Sequence, residues 1–177
     1  MLRAIVFIAV LFTLAVGTVL GLALSKPDDF RVERAILIKA PPGKIAPLIN
    51  DLHAWRGWSP YETKDPAMQR TYSGAESGKG AIYQWSGNKH VGSGRMEIVD
   101  VTPSKTVIKL DFLTPFEGHN IAEFSLQPEG DATAVKWSMH GPAPLLSKVM
   151  QVFLNMDRMI GDDFAAGLAS LKAIAER

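Results

Sequence analysis

Four histidines and a scatter of carboxylates are the reactive side chains of this chain, and their spacing limits the chemistry open to them. His119 and Glu123 stand four apart, a separation that on a helix would present both to one ion. The segment around them alternates like a strand, which puts their Cα atoms roughly 13 Å apart and out of reach of a shared metal. His90, His119 and His140 each fall at the end of an alternating run, and in a meander such ends gather at one rim. A metal or proton-transfer site there is one reading; three solvated loop histidines is the plainer one and is preferred. There is no His-Glu-x-x-His pair, no cysteine and no triad spacing. No metal and no cofactor is expected.

Asp157 lies beside a long apolar stripe, close to Phe153 and Ile160, with Asp162 and Asp163 further along the same run. A carboxylate there would have a raised pKa and suit a general acid or base. The preferred role is a hydrogen bond to the loop around Trp55 to Ser59. Asn120 has inward parity, so it either orients a polar ligand group or caps a turn. No residue is assigned as catalytic. The glycine spacing from Gly87 to Gly94 imitates a phosphate loop but joins two strands, so it is set aside.

These residues must be positioned by regular elements. Phe30 to Ile38 reads as a strand, although Arg34 shares the parity of its apolar positions. Lys44 to Trp55 has helical spacing through Ile45, Leu48, Ile49 and Leu52. A loop follows through Trp58, Pro60 and Tyr61, placed so that it could cover a cavity mouth as a lid. Met68–Ser73, Ala81–Ser86, Val91–Asp100, Lys105–Leu113, Asn120–Gln127 and Thr133–His140 read as an antiparallel meander. From Leu146 to Ile174 apolar residues recur at three- and four-residue steps, which predicts one helical stripe about thirty residues long. That stripe needs an apolar partner, and the inward face of the sheet is the one available.

Ahead of all this, Ala4 to Leu24 holds no charge, no proline and no amide; only Thr13 and Thr18 are polar. At about 1.5 Å per residue the run spans roughly 31 Å, the hydrocarbon thickness of a bilayer. It is longer than the apolar core of a cleaved signal, so residues 1–25 are read as a retained single-pass anchor and 26–177 as a water-soluble domain. The orientation taken is N-in with the domain on the outer, periplasmic-type side. Gly17 and Gly21 have the spacing of close helix pairs, but glycine is common in spanning helices and the ordinary reading is preferred. Setting Arg3 aside from the 19 basic residues leaves the remainder balanced against 18 acidic ones, all downstream. That balance carries no footprint for nucleic acid.

The chain resembles the SRPBCC superfamily (START-like, helix-grip fold), in its polyketide cyclase/dehydrase-like branch. The resemblance rests on Val32-Glu33-Arg34 through Ile38-Lys39-Ala40-Pro41-Pro42, on Trp55 to Tyr61, on Asp65 to Met68, on Tyr83 to Asn88 and on Met156 to Phe164. It implies an α+β fold in which a curved antiparallel sheet of about six to seven strands wraps a long C-terminal helix and leaves a gap for a ligand. Gly92, Gly94, Gly161 and Gly167 are either room for that ligand or close contacts between helix and sheet. The candidate ligand-binding set is Trp58, Tyr61, Tyr83, Trp85, Met96, Phe112, Asn120, Phe124, Trp137, Met156, Asp157 and Ile160. Rings and thioethers suit an apolar ligand of irregular shape. The expected function is membrane-anchored binding of a hydrophobic or amphipathic small molecule. The alternatives are a cyclase or dehydratase, or an interaction module with a filled interior.

Overall fold

The computed structural model describes residues 2–177. Helix α1 (Leu2–Leu24) is followed by β1 (Asp29–Ile38), α2 (Pro42–Asn50), a 3-10 turn at Ala54–Gly57 and α3 (Pro60–Lys64). Six strands come next: β2 (Gln69–Gly74), β3 (Ala81–Ser86), β4 (Ser93–Thr102), β5 (Lys105–Thr114), β6 (Gly118–Glu129) and β7 (Ala132–Pro142). The chain closes with α4 (Leu145–Phe153) and α5 (Met156–Ala175). All seven strands form one antiparallel sheet in the order β1-β7-β6-β5-β4-β3-β2. Its concave face grips α5, whose Phe164, Leu168 and Leu171 are buried against it. This is the helix-grip arrangement.

Period-two alternation sets the register. Inward residues align in rows across the sheet: Tyr83, Met96, Leu110 and Asn120 in one, and Ile98, Ile108, Ala122, Met139 and Val32 in the next. A further row holds Thr106, Phe124, Trp137 and Arg34. Arg34 keeps inward parity because it has a partner there. Its guanidinium spans Asp157 of α5, donating to both carboxylate oxygens at 3.1 and 3.0 Å and to the Asp157 carbonyl at 3.0 Å. A Cβ at Gly161 would stand 1.9 Å from that guanidinium, so glycine is what admits it.

Three expectations are corrected. The terminal stripe is not one helix. It breaks at Leu154-Asn155, where the Asn155 side chain accepts from the Arg158 N–H and starts α5 afresh. Most of the stripe's first third, Leu146 and Phe153 included, stays exposed instead of lying on the sheet. The segment from Lys44 to Trp55 is likewise divided, with α2 ending at Asn50 and the 3-10 turn taking over.

The Trp58–Tyr61 stretch is a fixed wall and not a lid. The Trp55 and Trp58 indoles donate to the Ile49 and Leu48 carbonyls at the end of α2, both at 2.9 Å. Pro60 lies over Gly167, and Lys64 pairs with Asp163 of α5.

The glycines serve close contacts. The space beside Gly94 is filled by the Trp85 ring, 2.4 Å from where its Cβ would be, and that beside Gly167 by Trp137 and Pro60. Gly92 has φ of +62°, a turn conformation that L side chains avoid.

A candidate ligand cavity between sheet and helix

Sheet and helix do not meet everywhere. Between them lies a cavity of about 690 Å³, within the range of small-molecule sites. Its inner part is walled by Trp55, Ile108, Ala122, Trp137, Met139 and Phe164. Its outer end is framed by the β5–β6 turn, the Pro142–Pro144 strap and α4, with exposed Phe116, Leu146 and Met159 marking the opening.

Nine of the candidate residues line it: Tyr61, Tyr83, Trp85, Met96, Phe112, Asn120, Trp137, Met156 and Ile160. Trp58, Phe124 and Asp157 do not. Phe124 and Trp58 pack edge-on against each other, their rings 6.0 Å apart, and against Trp55 and Trp137, which take the cavity wall in their place. Asp157 faces outward on α5 and is held by Arg34. That hydrogen bond outweighs the small effect of burial and holds the carboxyl below its usual value. The expected raised pKa and the expected bond to the Trp55–Ser59 loop are both corrected, because inward Arg34 claims the carboxylate.

Two aromatic groupings stiffen the walls. Trp137 stacks on Phe164 at 4.0 Å between ring centroids and 8° between planes, and on Phe124 at 4.9 Å. On the other side Tyr72, Tyr83 and Trp85 form a stacked series continued by Phe112 edge-on.

Glu62 is the polar residue that the sequence reading missed. It is buried at 8% exposure, lines the cavity, and accepts from the Tyr83 hydroxyl at 2.9 Å and from Arg70 at 2.7 Å. Burial, then the carboxylate it donates to, pushes the Tyr83 phenol far above its ordinary value. Burial, then the nearby Asp163 charge, does the same to Tyr61. The signal was available: Arg70 shares the inward parity of Tyr72 and therefore needs an anion nearby. With Glu62 engaged by both Arg70 and Tyr83, the cluster offers a ligand the lone pairs of the Tyr83 oxygen and not a mobile proton. Asn120 stands on the same row as Tyr83, 8% exposed, and no protein hydrogen bond to its amide forms among the described residues. It suits a ligand's hydrogen-bonding group.

The three histidines do not cluster. His90 and His119 border the opening, while His140 has the opposite parity to inward Met139 and lies on the convex side. Among the described residues no group of three His, Cys, Asp or Glu is placed to hold a metal ion.

His119 is paired with Asp111 at 2.7 Å, and that hydrogen bond raises it above its ordinary 6.5. Burial alone would raise Asp111, but the bonds from His119 and Lys109 win and leave it lowered. The raised histidine stabilises the fold fully below its unfolded value, and this contribution fades as pH rises through its folded value. The lowered aspartate contributes above its unfolded value, and that contribution is lost as pH falls through its folded value. In an NMR titration His119 should therefore lose its proton above pH 6.5, and Asp111→Asn should return it toward that value; an unshifted His119 would contradict the pairing.

No curated protein matches the chain in sequence. Solved structures share its fold at low identity. A crystallised protein from Mesorhizobium loti is 16% identical, with 84% of this chain and 98% of that one covered and a TM-score of 0.61. A Thermobifida fusca protein solved by NMR is 20% identical, with 82% and 92% covered and a TM-score of 0.60. The di-domain ARO/CYC StfQ of the steffimycin biosynthetic pathway is 11% identical, with 84% and 51% covered and a TM-score of 0.59. A family model described as polyketide cyclase / dehydrase and lipid transport matches residues 29–176, from the first residue of β1 to just past α5. Sheet, gripped helix and family match agree, and the chain belongs to the polyketide cyclase/dehydrase and lipid transport family, of SRPBCC type.

Proposed function

We propose that this protein binds a hydrophobic or amphipathic small molecule, lipid-like or polyketide-like, in the cavity between sheet and α5, and that residues 1–25 anchor the binding domain, 26–177, to a membrane. The observation that carries the reading is the cavity itself: about 690 Å³, mostly apolar in its walls, with Ser59, Tyr61, Glu62, Tyr83 and Asn120 as the polar residues inside its rim. Apolar burial supplies affinity at roughly 25 cal/mol per Å² before ordering costs. The family's breadth leaves ligand and catalysis to be decided at the site. Asp157, the acid–base candidate of the cyclase reading, stands outside the cavity and is paired.

The anchor reading is supported by the helix Ile5–Leu24, whose mean hydropathy reaches 2.7 and which the protein leaves exposed except near its end, at Ala23. Thr13 and Thr18 return their hydroxyls to the carbonyls four residues back, at 2.9 and 2.8 Å, so its polar side chains are satisfied within the helix. In this reading the folded part stands on the outer, periplasmic-type side. Alkaline carbonate washing should leave the protein in the membrane pellet, and protease added to intact spheroplasts should remove the folded part.

Ala122 lies at the centre of the inner wall and is buried beside empty space. Native mass spectrometry of detergent-purified protein should show a co-purifying small molecule. Ala122→Phe should remove it while leaving the circular dichroism unchanged, because the added ring fills a void. Spectra without any adduct across several preparations would overturn the binding reading.

A further inference from the structure

Helix α4 has its polarity inverted. Its lysine is buried and its leucines are not. Lys148 is only 7% exposed, and its ammonium donates to the Asp28 carboxylate just beyond α1. Leu145 and Leu146 are 50% and 53% exposed, and Phe153 69%. Exposed Leu154 and Met159 extend the face into the start of α5. Across the opening, Leu113 near the end of β5 and Phe116 of the β5–β6 turn are also more than half exposed. Exposed large apolar residues gathered on one helix and beside one opening mark a contact surface on a protein in water.

Its position identifies what covers it. The last turns of α1 pack on α4, where Ala23 becomes fully buried. Only Ser25 to Asp28 separate α1 from the sheet, and the Asp28 carbonyl accepts from Ala143 at 2.7 Å, fixing that link to the strap before α4. The apolar face of α4 therefore adjoins the end of α1, with Ser25, Lys26 and the exposed Asp28 carboxylate at the junction between them. Phe116 and Leu146 belong to that face and also line the cavity.

We infer that α4 and the β5–β6 turn form a lipid-facing platform, lying in the interface of the bilayer that α1 crosses, so that the cavity opens into lipid and not into water. This inference rests on the anchor reading above. It makes the bilayer the source or destination of the ligand, which reaches Phe116 and Leu146 without crossing solvent. An amphipathic helix lying in the interface plane, its apolar face sunk into the headgroup boundary, is the physical precedent.

The absence of cysteine makes the test direct. Single cysteines are placed by Leu146→Cys, Phe153→Cys and Phe116→Cys, with Phe12→Cys in α1 and Asp131→Cys at the far β6–β7 turn as references. Each full-length variant, its fold checked by circular dichroism, carries an environment-sensitive fluorophore in phosphatidylcholine vesicles with or without doxyl-labelled lipid. Positions 116, 146 and 153 should lose emission about twofold in doxyl lipid, since an interfacial helix sits roughly 5–10 Å deep. Position 12 should be quenched as well and position 131 should not. Quenching at 12 without quenching at 146 and 153 overturns the platform and leaves the anchor standing. No quenching at 12 removes the anchor reading and the platform with it. Shielding at 146 and 153 without lipid quenching, together with cysteine cross-linked dimers, assigns the face to a second copy and also overturns the inference. Mass spectra of the same preparations read the cavity's occupant independently.

Discussion

Glu62→Ala should lower stability by about 3–5 kcal/mol, the usual cost of removing one partner from a buried ion pair. Both partners are largely shielded, Glu62 at 8% and Arg70 at 13% side-chain exposure. The truncation strands the Arg70 guanidinium, whose other acceptors are backbone carbonyls, the nearest being Met68 at 2.6 Å. It also takes the acceptor from the Tyr83 hydroxyl. Urea unfolding followed by circular dichroism measures the loss. Two companions sharpen the result. Glu62→Gln keeps an acceptor for Tyr83 and should lose less, while the double variant Glu62→Leu with Arg70→Met removes both charges and should recover most of the stability. If the double variant were as unstable as Glu62→Ala, the unpaired-charge explanation would be wrong.

Trp137→Ala should cost about 3–5 kcal/mol, and Tm should drop by on the order of 10 °C. The indole is the centre of the aromatic packing, stacked on Phe164 and Phe124 and met edge-on by Trp55 and Trp58. It joins helix to sheet, so its loss weakens the grip itself. Its N–H is buried and has no hydrogen-bond partner among the described residues. Trp137→Phe therefore forfeits no hydrogen bond and should cost much less than the alanine. Calorimetry on both variants checks the order; equal losses would mean that the indole nitrogen has a role the packing does not explain.

Much of the sheet was readable from alternation because each strand has one buried face, and a slip by one residue would reverse it. Ala81–Ser86 is an example, with Ala81 and Tyr83 buried. Arg34 broke the pattern on paper because its partner, Asp157, is 123 residues away, and no local rule reaches that far. The same pairing overturns the reading of Asp157: the residues at helical spacing from it, Phe153 and Ile160, are apolar, but its partner in space is a guanidinium. The break at Asn155 was obscured because the apolar spacing runs through it unchanged, while the cap depends on one side-chain hydrogen bond. The cavity was least legible. Whether Gly94 leaves space or yields it to Trp85 depends on how two strands are registered, not on glycine.

The short, doubly fastened stretch from Ser25 to Asp28 has a consequence for logistics. At about 3.4 Å per residue it reaches roughly 14 Å, and Asp28 is held to both Ala143 and Lys148. A protein so leashed is no ferry. With α1 in a bilayer, cargo is exchanged where the protein stands, and any acceptor beyond that membrane has to come to it.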